Sequence, residues 1–277
     1  MSNSNASKKV ALVTGSSTGI GRSTVEHLSA AGWTVIATMR TPAKEQTLQK
    51  LPGVSLQTLD VTDVQSIRRA LAETVQKHGR IDALVNNAGY GLVGAFEEIA
   101  EEQIRKQFET NVFGLMSVCR EALPYLRKQG GGRIINISSV GGRITFPLYS
   151  AYHSTKWAVE GFTESLQYEL APFGIRTVLI EPGAIRTDFY DRSADKPKTK
   201  DGSPYENFVE KLMAQYDKIG ATAVGPEAVA KVIVRAAEVN QPKLRYSVGG
   251  QAPLLLFLRR LLPDRAFNGM VKSNLGI

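Results

Sequence analysis

Residues 14–21 read Thr14-Gly15-Ser16-Ser17-Thr18-Gly19-Ile20-Gly21, set between the β-branched run Lys9–Val13 and the helical run Ser23–Ala31. Glycines at such a turn let the backbone fold tightly and approach a ligand closely. The helix that follows offers free N–H groups and the positive end of its dipole, which suits a pyrophosphate. The spacing is Gly-x-x-x-Gly-x-Gly rather than the commoner Gly-x-Gly-x-x-Gly. A glycine cluster alone is often just a turn. Between a strand and a helix it predicts a dinucleotide site.

Outward from this turn, short strand-like runs alternate with helical patterns almost to the end. The further candidate strands are Thr34–Met39, Val54–Leu59, Ala83–Asn86, Arg133–Ile137, Arg176–Ile180 and Leu244–Val248. Between them, apolar residues recur at helical spacing, as in Ile67, Leu71 and Val75 or Val159, Phe162 and Leu166. The alternation predicts an α/β fold: a doubly wound, Rossmann-like parallel sheet of about seven strands with helices on both faces. Ligands then bind at the carboxyl ends of the strands. One domain over residues 8–250 is expected, with a substrate loop at 188–225, a C-terminal extension at 251–277 and a flexible start at 1–7. The extension can be a lid, a packing helix, a subunit contact or a membrane-surface contact.

Composition narrows the function classes. With 43% hydrophobic and 22% charged residues, the 277-residue chain has enough apolar content for a real core. The one cysteine, Cys119, cannot form an internal disulfide. With no signal-like apolar stretch behind the polar start, that predicts a cytoplasmic protein. The longest aliphatic and aromatic run, Leu254–Leu258, is too short to span a bilayer. A net charge of +8 fits a phosphorylated ligand, a nucleic acid or an anionic surface. The basic residues are dispersed rather than banded with aromatics, and no nucleic-acid module appears, so no nucleic-acid partner is expected. His27, His78 and His153 lack metal-ligand spacing, so no metal is expected. A Ser-His-Asp hydrolase lacks its Gly-x-Ser-x-Gly elbow.

Further motifs stand in a recognisable order. Leu59-Asp60-Val61 follows the third strand, and Asn86-Asn87-Ala88-Gly89 follows the fourth. Asn111, then Ser139 in Ile137-Ser138-Ser139, then Tyr152 and Lys156, then Glu181-Pro182-Gly183 come after them. Together with the glycine turn, these resemble the classical short-chain dehydrogenases/reductases over roughly residues 8–190. The stretch Trp33–Arg40 and the long C-terminal region are similar to hydroxysteroid- and retinol-dehydrogenase-like members.

Among nine tyrosines, only Tyr152 has a lysine four residues later. On a helix that spacing puts phenol and ammonium on one face. An ammonium about 5 Å away, at an effective dielectric near 20, supplies on the order of 3 kcal/mol. That lowers a phenol pKa by about two units from its free value near ~10. The resemblance implies the roles. Tyr152 is the general acid or base, and Ser139 bonds the substrate oxygen. Lys156 lowers the phenol pKa and holds the nicotinamide ribose. Asn111 positions a water linking Lys156 to solvent.

The resemblance also implies the cofactor contacts: Gly15, Ser17, Thr18, Gly19, Ile20 and Gly21 in the turn, with Asp60 and Val61 at the adenine. Asn87, Ala88 and Gly89 follow, then Tyr152 and Lys156. Pro182, Gly183, Ile185 and Thr187 seat the nicotinamide end. At the end of the second strand, NAD-specific relatives carry an acid for the ribose 2′-hydroxyl. Here Met39 is followed by Arg40, which can pair with a 2′-phosphate through charge-assisted bonds worth roughly 1.5–3 kcal/mol. NADP(H) is therefore the expected cofactor, with NAD(H) the alternative. Many NADP-dependent relatives also place a basic residue where this chain has Thr18.

The expectation is an oxidoreductase interconverting a carbonyl and an alcohol by hydride transfer. The alternative from another class is a non-catalytic dinucleotide-binding regulator or scaffold. Tyr90, Leu92, Val93, Phe146, Leu148, Phe189 and Tyr190 near the expected mouth suggest a hydrophobic alcohol or ketone. Family relatives pair through the helices carrying Asn111 and Tyr152, implying a homodimer or homotetramer.

Overall fold

The computed structural model describes residues 8–187, 194–197, 199 and 201–277. The start at 1–7, for which a flexible segment is expected, lies outside them. Seven strands form one sheet: β1 Val10–Val13, β2 Thr34–Met39, β3 Val54–Thr58, β4 Ala83–Asn86, β6 Gly132–Ile137, β7 Ile175–Pro182 and β9 Arg245–Val248. Their order is β3-β2-β1-β4-β6-β7-β9, and all six pairings are parallel. Two further two-residue strands, β5 Gly91–Leu92 and β8 Ala194–Asp195, pair apart from the main sheet.

Helices cover both faces because the central strands, β1, β4 and β7 among them, bury both of their sides. On one face Val10, Leu12, Ile36, Leu84, Ile134 and Leu179 pack against α2 Val64–His78, α4 Leu115–Lys128 and α5 Ser150–Leu170. On the other, Ala11, Val13, Val35, Val85, Ile135 and Val178 pack against α1 Gly19–Ala30 and α7 Pro226–Glu238. That strict alternation is the pleat of a doubly covered sheet. Local signals bound the helices. Asp63 caps α2 by accepting from the Gln65 N–H, and Gly79 ends it with φ +77°.

The order in which strands are laid down reverses between β1 and β4. From β1 the chain moves outward through β2 and β3, then returns to β4 on the other side. The crevice beyond the carboxyl ends of β1 and β4 is the topological switch point where such sheets bind ligands.

The remaining helices surround this crevice: α3 Glu101–Phe108, α6 Glu206–Ala221, α8 Ala252–Leu261 and α9 Asp264–Leu275. Tail residues Ala252, Leu256 and Phe267 are buried with Val140 and Ile144, so α8 and α9 pack on their own domain. Among the described residues no helix is long and apolar enough to cross a membrane.

Candidate active site

The glycine turn and the loop after β4 are joined at the switch point. Thr14 Oγ1 accepts from the Asn87 and Ala88 N–H groups at 3.0 and 3.1 Å. Asn87 Nδ2 in turn donates to the Thr14 and Gly15 carbonyls, each at 3.0 Å. The glycines are steric requirements. A Cβ on Gly15 (φ +65°) would lie 2.8 Å from Ala88 Cα, and one on Gly21 would lie 2.3 Å from the Gly15 carbonyl oxygen. Both distances are too short for any side chain.

A cleft of about 1140 Å³ runs from this turn to the C-terminal helices. Single-ligand pockets are commonly roughly 300–1,000 Å³, so there is room for a dinucleotide and a second molecule. Its walls bring together Gly15, Ser17, Thr18, Gly19, Ile20, Arg40, Asp60, Val61, Asn87, Ala88 and Gly89. Farther along stand Ser139, Tyr152, Lys156, Pro182, Gly183, Ile185 and Thr187. A nicotinamide dinucleotide fits this frame. The glycine turn leaves bare backbone at the start of α1, and Thr187 closes over it, 3.5 Å from where a Gly19 Cβ would stand. Arg40 is exposed at the end of β2, and among the described residues no carboxylate pairs with it.

Farther along the cleft, the first turns of α5 carry Tyr152 and Lys156. The Lys156 ammonium is 5.7 Å from the centroid of the Tyr152 ring and donates to the Ile137 carbonyl at 2.8 Å. Burial pushes that ammonium down to about 8, opposed by the Glu160 carboxylate. Ser139 leaves the end of β6. Its hydroxyl accepts from the Gly141 N–H at 3.0 Å and donates to the Pro182 carbonyl at 3.4 Å. The second bond is long enough for the proton to be redirected to another acceptor.

Two expected site residues stand behind the cleft wall. Gly21 is buried against Gly15 and Asn87 and keeps the turn closed. Asn111 lies in a π-helical stretch, Glu109–Gly114, of the kind that often marks functional positions. Its Oδ1 accepts from the Tyr90 N–H at 3.0 Å, and its Nδ2 donates to the Tyr90 carbonyl at 2.9 Å and Thr155 Oγ1 at 3.2 Å. The carboxamide therefore fixes the Tyr90 backbone beside α5.

Of the apolar residues expected at the mouth, Tyr90 and Phe146 line the cleft. Leu92, Val93 and Leu148 are buried behind it. Phe189 and Tyr190 lie outside the described residues. Further apolar lining, toward the C-terminal helices, includes Tyr149, Tyr216, Ile219, Leu255, Val271 and Leu275. Tyr149 stacks on His153 at 5.4 Å and meets Tyr216 edge-on at 5.2 Å. Burial pushes His153 down to about 4, and its Nδ1 accepts from the Phe146 N–H at 3.3 Å, so the ring is a neutral wall near pH 7. Among the described residues no group of His, Cys, Asp and Glu is arranged to hold a metal.

The model of a family described as short chain dehydrogenase matches residues 9–198. This chain belongs to the short-chain dehydrogenases. It is 41% identical over 278 residues, covering 97% of this chain and 99% of the relative, to the uncharacterized oxidoreductase YusZ of Bacillus subtilis. It is 34% identical, over 92% of this chain and 94% of the relative, to the 3-ketodihydrosphingosine reductase of Bacteroides thetaiotaomicron. The solved structure of ElxO with NADP bound shares 29% identity at a TM-score of 0.72, covering 89% of this chain and 99% of that one. The short-chain dehydrogenase described here is thus an NAD(P)-dependent oxidoreductase with the family's Rossmann-like fold.

Proposed function

We propose that the chain reduces a hydrophobic ketone with NADPH, or oxidises the matching alcohol with NADP, using Tyr152 as the acid or base. The observation that carries this reading is the meeting of Ser139, Tyr152 and Lys156 with the glycine turn and Arg40 on one cleft. When bound, the nicotinamide supplies or accepts the hydride.

In reduction the Tyr152 hydroxyl gives its proton to the carbonyl oxygen and becomes a phenolate, and in oxidation the phenolate takes the proton of the alcohol. Ser139 turns its hydroxyl from Pro182 to the same oxygen and holds it against Tyr152. Lys156 has three N–H groups and spends one on Ile137, leaving the others for ribose hydroxyls. Its charge favours the phenolate when the proton leaves. Asn111 contributes by position, through Tyr90 and Thr155, since its donors and acceptor are already engaged.

The apolar lining supports a hydrophobic substrate such as an aliphatic ketone, a steroid or a retinoid. The relative named for 3-ketodihydrosphingosine, itself a ketone, is in line with the first. Arg40 favours NADP(H) over NAD(H). In this reading residues 8–250 are the catalytic domain, the loop at 188–225 and the tail at 251–277 bound the substrate end, and the protein works in the cytoplasm. Phe113 and Trp157, half-exposed on the elements carrying Asn111 and Tyr152, support a homodimer or homotetramer.

The test is NADPH absorbance with aliphatic, steroidal and retinoid ketones and aldehydes, run beside NADH. Consumption with an apolar ketone supports the proposal. Binding of NADPH with no turnover of any class would favour a regulator instead.

A further inference from the structure

We propose that α8 docks on an anionic lipid surface through Leu254, Phe257 and Leu261, beside the mouth of the cleft. The three residues recur at intervals of three and four and so share one helix face. They are 55%, 58% and 62% exposed. The opposite face is spent within the fold: Ala252 and Leu256 are buried with Ile144 and Phe267, and Leu255 lines the cleft. A single exposed leucine needs no explanation, but three large apolar side chains aligned on one helix leave a stripe with no use in the folded monomer.

Charge identifies what covers it. Residues 251–277 carry Arg259, Arg260, Arg265 and Lys272 against one acid, Asp264. Asp264 is taken by Arg259 at 2.6 Å, and that guanidinium also lies over the Phe267 ring. Arg260, Arg265 and Lys272 are exposed, and among the described residues none of them is paired with a carboxylate. An apolar stripe on a tail that also carries unpaired, exposed cations complements the acyl boundary and headgroups of an anionic bilayer. A second copy seated on the same face would bring its own cations against these, which disfavours that occupant. No membrane-spanning segment is needed for such peripheral contact.

The placement has a use. Ile219, 45% exposed, lines the same cleft as Leu255, so a lipid-soluble molecule leaving the bilayer meets an apolar rim at once. The docking itself does not depend on which reaction the cleft performs.

The experiment is co-sedimentation of the full chain with vesicles of phosphatidylcholine and phosphatidylglycerol, and with phosphatidylcholine alone. The intact chain is expected to pellet with the anionic vesicles, and added salt to release it. Combined Leu254→Ser, Phe257→Ser and Leu261→Ser should weaken binding at least tenfold. Arg260→Glu with Arg265→Glu, which leaves the apolar stripe and the fold's packing untouched, should weaken it to a similar degree. An intact chain that stays in the supernatant with both vesicle types overturns the proposal. So does a serine variant that folds and pellets as before, or a charge variant that binds unchanged. Sedimentation velocity covers the competing occupant: a dimer that the serine variant splits, without vesicle binding, would make this face a contact between copies.

Discussion

The Lys156 ammonium stands 5.7 Å from the Tyr152 ring centroid while a 2.8 Å bond to the Ile137 carbonyl ties it to the end of β6. One lysine thus ties α5 to the sheet and stands beside the phenol, where on the proposed reading it also sets the electrostatics.

That double duty predicts a pH dependence. Burial lowers the ammonium to about 8 in the free protein, so raising the pH through 8 removes the charge beside Tyr152. The kcat/KM for ketone reduction should fall along an alkaline limb centred near that value, because kcat/KM reports groups of the free enzyme. Lys156→Met should lose most activity together with the limb. A pH profile flat through the alkaline range would remove Lys156 from this role.

On the proposed reading, Arg40 sets the cofactor preference. Replacing it with Asp removes a charge-assisted contact to a 2′-phosphate and offers an acceptor to a 2′-hydroxyl. The ratio of NADH to NADPH dissociation constants should shift toward NADH by about one to two decades. Fluorescence titration of both cofactors measures this, and an unchanged ratio counts against the assignment.

A buried charge cluster under the site predicts how stability varies with pH. Glu181 sits within 3.4 Å of both Arg143 and Arg245, and Arg245 also holds Glu160 at 2.9 Å. Burial and the Glu160 charge push the Glu181 carboxyl up to about 7. A carboxyl whose pKa is raised by folding contributes stability that is complete below its unfolded value and lost as pH rises through 7. Glu160 is raised as well, mainly by burial, and acts in the same direction. Glu181→Gln should therefore flatten this fall and raise the unfolding free energy at pH 8 by on the order of 1–2 kcal/mol. Urea denaturation at pH 5 and pH 8 checks it. Equal losses for the variant and the parent at both pH values would contradict it.

Gly21 separates a structural role from a chemical one. An alanine Cβ there would be 2.3 Å from the Gly15 carbonyl oxygen and 2.4 Å from Asn87 Nδ2. Gly21→Ala should cost 1–3 kcal/mol or more and weaken cofactor binding, although residue 21 does not line the cleft. Thermal unfolding alongside NADPH titration tests both effects.

How much of this is legible in the sequence depends on whether the signal is local. All seven sheet strands match the expected runs to within two residues at each end, the central ones most clearly, because strands buried on both faces leave dense apolar patches such as Val10–Val13. The cofactor turn is legible because Gly15 and Gly21 stand where no side chain fits. Other features depend on long-range docking. The two-residue strands β5 and β8 are too short for any period, and no residue pattern marks the π-helical stretch around Asn111. The apolar wall from Tyr216, Ile219, Leu255, Val271 and Leu275 exists only because α6, α8 and α9 meet at one cleft. Residues nearer in sequence, Leu92, Val93 and Leu148, serve as packing beneath that wall.

Whether Tyr152 donates the proton is decided by comparing the intact chain with Tyr152→Phe, measuring NADPH affinity and single-turnover reduction of an apolar ketone on the same samples. The variant should bind NADPH within about threefold of the parent while its reduction rate falls at least about a hundredfold, the scale of a lost general acid. A variant that turned over at the parent's rate would contradict the assignment of Tyr152 as the proton donor.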